Sequence, residues 1–333
     1  MRKIFPIVAI LLAITVFSGL FVLHKSNQAM NQVSQNSEAV LFTLSPGTSL
    51  YQLMAQFDQL ALYKQSDWLK LALKLQSNVA TIKAGTYEIS PQTPLPELLQ
   101  KIYQGEEKQF SITLIEGLTF KQWLAQINEH PNLIEPVSEA QVKQWIADNQ
   151  LTGNSAEGWL MPDTYAFTHG TRAIEILQRA HDALHERLTE FWDSRYPGLP
   201  YENAYEALIM ASIIEKETGV AHERSHIAGV FVNRLNLNMR LQTDPTVIYG
   251  IGEAFDGNIT RKHLRTPTPY NTYVIKGLPP TPIAMASEAA LEAAFNPMMT
   301  EDLYFVSKGD GTHFFSATLE QHNEAVRQYQ LKK

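Results

Sequence analysis

An uncharged, apolar run of twenty residues, 4–23, directly follows Met1, Arg2 and Lys3, and a bilayer accommodates such a segment better than any globular core. At 1.5 Å per residue, a helix of this length spans about 30 Å, the thickness of a hydrocarbon layer. Pro6 falls in the first turn, where a missing N–H costs least. A cleaved signal peptide is the competing reading. Its apolar stretch usually runs about 7–15 residues and ends in a small-x-small site. Here Leu20, Phe21, Val22 and Leu23 lead straight into His24 and Lys25. The expectation is an uncleaved, single-pass inner-membrane anchor. Arg2 and Lys3 favour a cytoplasmic N-terminus, which leaves the bulk of the chain in the periplasm.

The remainder of the 333 residues is long enough for two globular parts. The expected boundaries are an anchor over 1–25, a polar linker over 26–37, a small domain over 38–130 and a larger one over 131–333. Hydrophobic residues at 44% and charged residues at 18% suit a packed core. The formal charge of −7 argues against nucleic acid as a partner, because phosphate binding needs a basic field. The absence of cysteine excludes disulfides and a thiolate nucleophile, and leaves any zinc site to His and carboxylates.

A weak repeat organises the small domain. Residues 42–57 (FTLSPGTSLYQLMAQF), 87–102 (YEISPQTPLPELLQKI) and 112–127 (ITLIEGLTFKQWLAQI) each begin with strand-like alternation. A turn follows at Pro46-Gly47, Pro91 or Gly117, and then apolar residues at helical spacing, such as Leu50, Leu53, Met54 and Phe57. Thr48, Thr93 and Thr119 sit at or beside the helix starts, where a hydroxyl can cap. Units of this size resemble the LysM glycan-binding module, although an ordinary packing domain would look the same. Further on, the pattern predicts helices over about 173–192 and 203–218, with a break at 196–200. It also predicts turn-rich loops over 266–273 and 277–282, a short strand over 303–306 and a last helix over 319–331. Trp123 and Trp145 are expected core anchors. The fold class is α+β.

The helix over 203–218 carries two carboxylates at its end, in ASIIEKET (211–218). Residues two apart on a helix point about 200° from one another, so Glu215 and Glu217 cannot line the same cleft. Glu217 falls on the face of Met210, Ile213 and Ile214, and Glu215 nearer Leu208 and Ala211. A carboxyl among branched apolar groups loses hydration, its pKa rises, and it can donate a proton near neutrality. The bland alternative is an ion pair that merely ends the helix.

ASIIEKET resembles the helix-end glutamate of soluble lytic transglycosylases and goose-type lysozymes, in which Glu followed by Ser or Thr is the acid. Together with EGWLMPDTY (157–165), RLQTDPTVIY (240–249), TPYNTY (268–273) and GLPP (277–280), the chain resembles the endolytic murein transglycosylase family, MltG or YceG-like. Glu223-Arg224 and NRL (233–235) also fit. The resemblance implies a lyase that needs no cofactor and cuts peptidoglycan between N-acetylmuramic acid and N-acetylglucosamine within a strand, leaving a 1,6-anhydro end. It implies Glu217 as the catalytic acid and suggests action on nascent strands beside penicillin-binding proteins. Glycoside hydrolases generally need two carboxyls. A transglycosylase can use the sugar's own C6 hydroxyl as nucleophile, so that one acid suffices. Gln242, Thr243, Asp244, Tyr249, Asn271 and Tyr273 are the candidates for sugar contacts, with turn chemistry as the alternative for each. Trp159 and Tyr165 are expected to pack.

One rival motif is present. HERSH (222–226) matches H-E-x-x-H, and Gly229 extends the match. The extended zinc pattern wants a third His where Val232 stands, and the next His is His263. The expectation is that His222 and His226 bind no metal. The remaining alternatives are a glycan-binding scaffold without catalysis and a zinc peptidase.

Overall fold

The computed structural model describes residues 4–75 and 82–331, so the basic flank at Arg2 and Lys3 lies outside the described residues. Two units follow from the way the chain packs, one of residues 1–110 and 166–169, the other of residues 111–165 and 170–333.

The first unit opens with α1 (Ile4–Met30), within which residues 7–30 are long and apolar enough to cross a membrane. α1 runs on into the stretch expected to be a linker. Residues 31–37 are also tied down, by polar bonds that hydropathy does not reveal. Ser34 donates from Oγ to Ser90 O and accepts from Thr93 N–H, both at 2.9 Å, and Gln32 O accepts from Leu95 N–H at 2.9 Å.

The rest of this unit is β1 (Val40–Leu44), α2 (Leu50–Gln59), α3 (Asp67–Leu75), β2 (Gly85–Ile89) and α4 (Leu95–Gln104). β1 and β2 pair antiparallel, with Val40 opposite Ile89 and Leu44 opposite Gly85. The period of two sends Phe42 and Leu44 inward with Tyr87 and Ile89. Leu53 and Phe57 of α2, Leu69 and Leu73 of α3, and Leu95, Leu98 and Ile102 of α4 complete this core. Ser49, next to Thr48, caps α2 in a box with Gln52, and Pro94, next to Thr93, precedes α4 without a side-chain cap bond.

The third strand-turn-helix repeat is β3 (Gln109–Leu114) and α5 (Phe120–Asn128), the latter capped by Thr119 as expected. α6 (Glu139–Asp148) follows, then β4 (Asp163–Thr168), which forms a two-stranded sheet with β3. Trp123 and Trp145 are buried.

The second unit is built around α7 (Ala173–Ser194), α8 (Ala204–Glu217) and α9 (Arg224–Asn236). α8 is apolar on every side, and residues 207–214 are all buried, the signature of a central helix. α12 (Glu288–Phe295) lies along it and turns Ala290, Ala293 and Ala294 inward, so the two backbones approach closely. Asn203 caps α8 by accepting from Glu206 N–H at 3.1 Å, and at the other end Thr218 is extended and stops the helix. Two short helices, α10 (Asp244–Ile251) and α11 (Arg261–Arg265), lie between α9 and α12. The chain closes with β5 (Tyr304–Ser307) and β6 (His313–Ser316), antiparallel with Ser307 opposite His313, and with α13 (Leu319–Tyr329) packed on them.

Candidate functional site at the end of the central helix

Glu217 is the last residue of α8, where an apolar helix meets solvent. Ile213 and Ile214 behind it are fully buried, and the carboxyl itself is half-buried. Burial pushes its pKa from 4.5 up to about 7. A hydrogen bond from the Thr243 hydroxyl to Oε1 works against the rise, and the charge of Asp244 adds to it. The group therefore carries a proton for much of the population near neutral pH, as a general acid must.

A cleft of about 560 Å³ opens in front of this carboxyl, lined by Gln242, Thr243, Asp244 and Tyr273 on one side and by Tyr304, His313 and His322 on the other. Three buried threonines shape the first wall. Thr243 N–H donates to Thr272 Oγ1 at 3.0 Å, Thr246 Oγ1 donates to Thr243 O at 2.8 Å, and the Thr246 and Thr272 hydroxyls lie 2.9 Å apart. Gln242, beside them, takes a left-handed φ of 50°, unusual for a residue with a side chain. Asp244 stands in the first turn of α10, where a carboxylate suits the helix dipole, and accepts from the Tyr273 hydroxyl at 2.6 Å. Burial and that carboxylate hold the Tyr273 phenol far above its ordinary range. Beneath the cleft, buried Arg234 donates to the carbonyls of Leu303 and Leu241, each at 2.6 Å, and so joins β5 to the Thr243 wall.

Glu215 faces the other way. Its Oε2 accepts from the N–H of Ser287 at 3.1 Å and from the Ser287 hydroxyl, at the start of α12. It works as a joint between helices.

Of the six expected sugar contacts, four meet at the cleft: Gln242, Thr243, Asp244 and Tyr273. Tyr249 and Asn271 stand elsewhere. Asn271 is 1% exposed, and its amide is spent on its own loop, donating to His263 O at 3.0 Å and Thr266 O at 2.7 Å and accepting from Tyr273 N–H at 3.0 Å. Tyr249 donates to Glu157 Oε2 at 3.1 Å. Glu157 also accepts from Phe120 N–H at 2.9 Å, and burial raises its pKa to about 7. This second perturbed carboxyl was not among the sequence candidates, although EGWLMPDTY begins with it. Tyr304 and His322, which line the cleft, were not among the sequence candidates either. Tyr304 and His313 stand on a hairpin whose Gly309-Asp310-Gly311 turn was legible in the sequence, and His322 stands on α13. Trp159 and Tyr165 pack: Trp159 stacks on Tyr205 at 5.3 Å, and Tyr165 donates to Met161 O at 2.6 Å.

The H-E-x-x-H stretch is not one helix. His222 and Glu223 lie in a 3-10 turn, Ala221–Glu223, and His226 lies within α9. Glu223 is engaged with His313, while His226 Nε2 lies 2.8 Å from Asp302 Oδ2 and its ring stacks on Phe315 at 3.6 Å. Among the described residues, no three His, Cys, Asp or Glu side chains gather as a metal-ligand set. Gly229, which extended the zinc pattern, has a packing reason: a Cβ there would stand 2.3 Å from Met298 O.

Comparison with known proteins identifies the family. The sequence profile of the YceG-like family matches residues 42–328. An endolytic murein transglycosylase of Bacillus subtilis (strain 168) is 30% identical over 336 aligned positions, 94% of this chain and 91% of that protein. One from Streptococcus pneumoniae serotype 2 is 27% identical over 76% of this chain and 51% of its own length. The crystal structure of a YceG-like protein from Listeria monocytogenes superposes with a TM-score of 0.56 at 29% identity, covering 87% of this chain and 99% of that one. The chain belongs to the YceG-like family.

Proposed function

We propose that the protein is an endolytic lytic transglycosylase of peptidoglycan, a lyase in which Glu217 is the single acid. The observation that carries this reading is a half-buried carboxyl at a helix end, raised to about 7, facing a polar cleft. Glu217 gives its proton to the glycosidic oxygen as the bond from C1 of N-acetylmuramic acid to N-acetylglucosamine breaks. The C6 oxygen of the muramic ring closes on C1 and its proton returns to Glu217, so no water is consumed. Gln242, Thr243, Asp244 and Tyr273 hold the sugars around that centre. The names of the Bacillus and Streptococcus relatives support the substrate and the reaction.

One observation favours a second reading. Asp244 shares the cleft with Glu217, and a second carboxylate could activate water for ordinary hydrolysis. Mass spectrometry of glycan fragments released by the detergent-solubilised chain separates the two. Anhydro-ended fragments are expected, and reducing ends would identify a hydrolase.

The apolar helix α1 is read as an uncleaved anchor in the inner membrane, with the units outside the cytoplasm near penicillin-binding proteins. Its length and hydropathy support that place. Recovery of the chain from membranes with Met1 or Arg2 as first residue is expected, and an N-terminus beyond residue 23 would refute it. The first unit is read as LysM-like, supported by its β1-α2-α3-β2 order. Exposed Tyr51 at the start of α2 would be a glycan contact, so Tyr51→Ala should weaken retention on insoluble peptidoglycan. Unchanged retention would count against it.

A further inference from the structure

His313 lines the cleft and is bonded to Glu223, and neither has a place in the reaction described above. Glu223 is 5% exposed, in the turn between α8 and α9, and His313 opens β6 and lines the cavity that holds Glu217. Both carboxylate oxygens are spent on this one histidine. Oε1 accepts its main-chain N–H at 2.9 Å, and Oε2 lies 2.8 Å from its Nδ1. Burial by itself would raise the Glu223 carboxyl, but the bonds from His313 outweigh it and hold the group below its ordinary range. An ionised carboxylate only accepts, so Nδ1 must carry the hydrogen. On the neutral ring Nε2 is then a bare lone pair, and no hydrogen bond reaches it from the described residues. Phe305, edge-on at 5.4 Å, and Phe315 at 6.4 Å fix the plane of the ring. The histidine is thus immobilised through its backbone, its Nδ1 and its faces, with one hydrogen-bond acceptor left over in the cleft.

We propose that His313 and Glu223 form an orienting pair for the glycan: His313 Nε2 accepts a hydrogen bond from a hydroxyl of the sugar seated against Glu217, and Glu223 is the positioning residue that sets the tautomer. The pair rests on the reading of this cleft as the glycan-cleaving site. A rigid acceptor selects an O–H and fixes its direction, so the hydroxyl's own lone pair is aimed rather than free to rotate. Held by Glu223, the imidazole cannot turn over to present N–H instead.

The test uses the full chain in detergent with isolated glycan strands. ¹⁵N spectra of histidine-labelled protein should place the His313 hydrogen on Nδ1 in the parent. In Glu223→Gln the amide NH₂ faces Nδ1, so the hydrogen should move to Nε2, where it cannot accept. His313→Ala should lower kcat/KM by about 10–100-fold, the range for one oriented hydrogen bond. Glu223→Gln should lose a similar factor, and the double variant no more than either single one. His313→Gln, which can offer an amide oxygen near the position of Nε2, should recover part of the loss. A purely structural role would give no rescue by Gln and no dependence on tautomer. Parent protein with the hydrogen on Nε2 overturns the proposal whether or not the variants fold. So does folded His313→Ala cleaving at the parental rate, an outcome that leaves the assignment of Glu217 standing. Failure of the parent to cleave glycan at all would overturn that assignment instead, and this proposal with it.

Discussion

Glu215 and Glu217 lie two residues apart, and the turn of the helix sends one to a serine cap and the other into a cleft. That separation was readable from sequence because it depends only on helical geometry and on the apolar side chains nearby. What Glu217 touches was not readable, since Thr243 and Asp244 arrive from 26 and 27 positions away. Their effects on the acid have opposite signs. The Thr243 hydroxyl stabilises the carboxylate, so Thr243→Val should raise the Glu217 pKa and carry the alkaline limb of kcat/KM to higher pH. Asp244 destabilises the carboxylate, so Asp244→Asn should move the same limb to lower pH. pH–rate profiles check both, and limbs that move together, or stay still, would contradict this account of how the acid is tuned. Asn271 and Tyr249 illustrate the other limit of sequence. Both sit in polar motifs, but their groups are satisfied by a loop backbone and by Glu157, which no local pattern announces.

The elements that sequence predicted well are those with strong local signals. All three repeats form strand, turn and helix, because alternation, a Pro or Gly turn and a 3.6-residue stripe agree over each short stretch. The central helix ends within a residue of expectation, since Asn203 and Thr218 supply its start and stop. The hairpin β5–β6 was half missed: β5 was expected, but β6 and the cleft residues it brings were not. In stretch 26–37, Ser34 makes polar, long-range bonds that hydropathy does not reveal. Helix α9 shows how packing explains a motif residue. Gly229 passes so near Met298 O that an added methyl has nowhere to go but into the backbone. Gly229→Ala should destabilise the protein by roughly 1–3 kcal/mol, read as a lower thermal midpoint, despite the better helix propensity of alanine. A rise in the midpoint would mean that this contact relaxes freely.

At the scale of the whole molecule, the two raised carboxyls tie stability to pH. Glu157 and Glu217 both move from 4.5 to about 7 on folding, so the folded chain keeps protons that the unfolded chain has already released. Their favourable contribution is full below about pH 4.5 and drains away as pH rises through about 7. Glu157→Gln removes one of these titrations. Denaturant melts should show the variant losing less stability than the parent between pH 5 and 8, by on the order of 1–3 kcal/mol. Parallel curves would contradict the burial assigned to Glu157. Hydropathy and local pattern made the long apolar N-terminal helix and the α+β class legible. The hairpin side of the cleft and the Glu157 anchorage depend on residues that meet only once the chain has folded. The central claim, that one protonated glutamate drives strand cleavage, is tested most directly by Glu217→Gln in the full chain. Cleavage of purified glycan strands should fall by at least about 100-fold while the thermal midpoint holds or rises. Cleavage by the folded variant at the parental rate would contradict it.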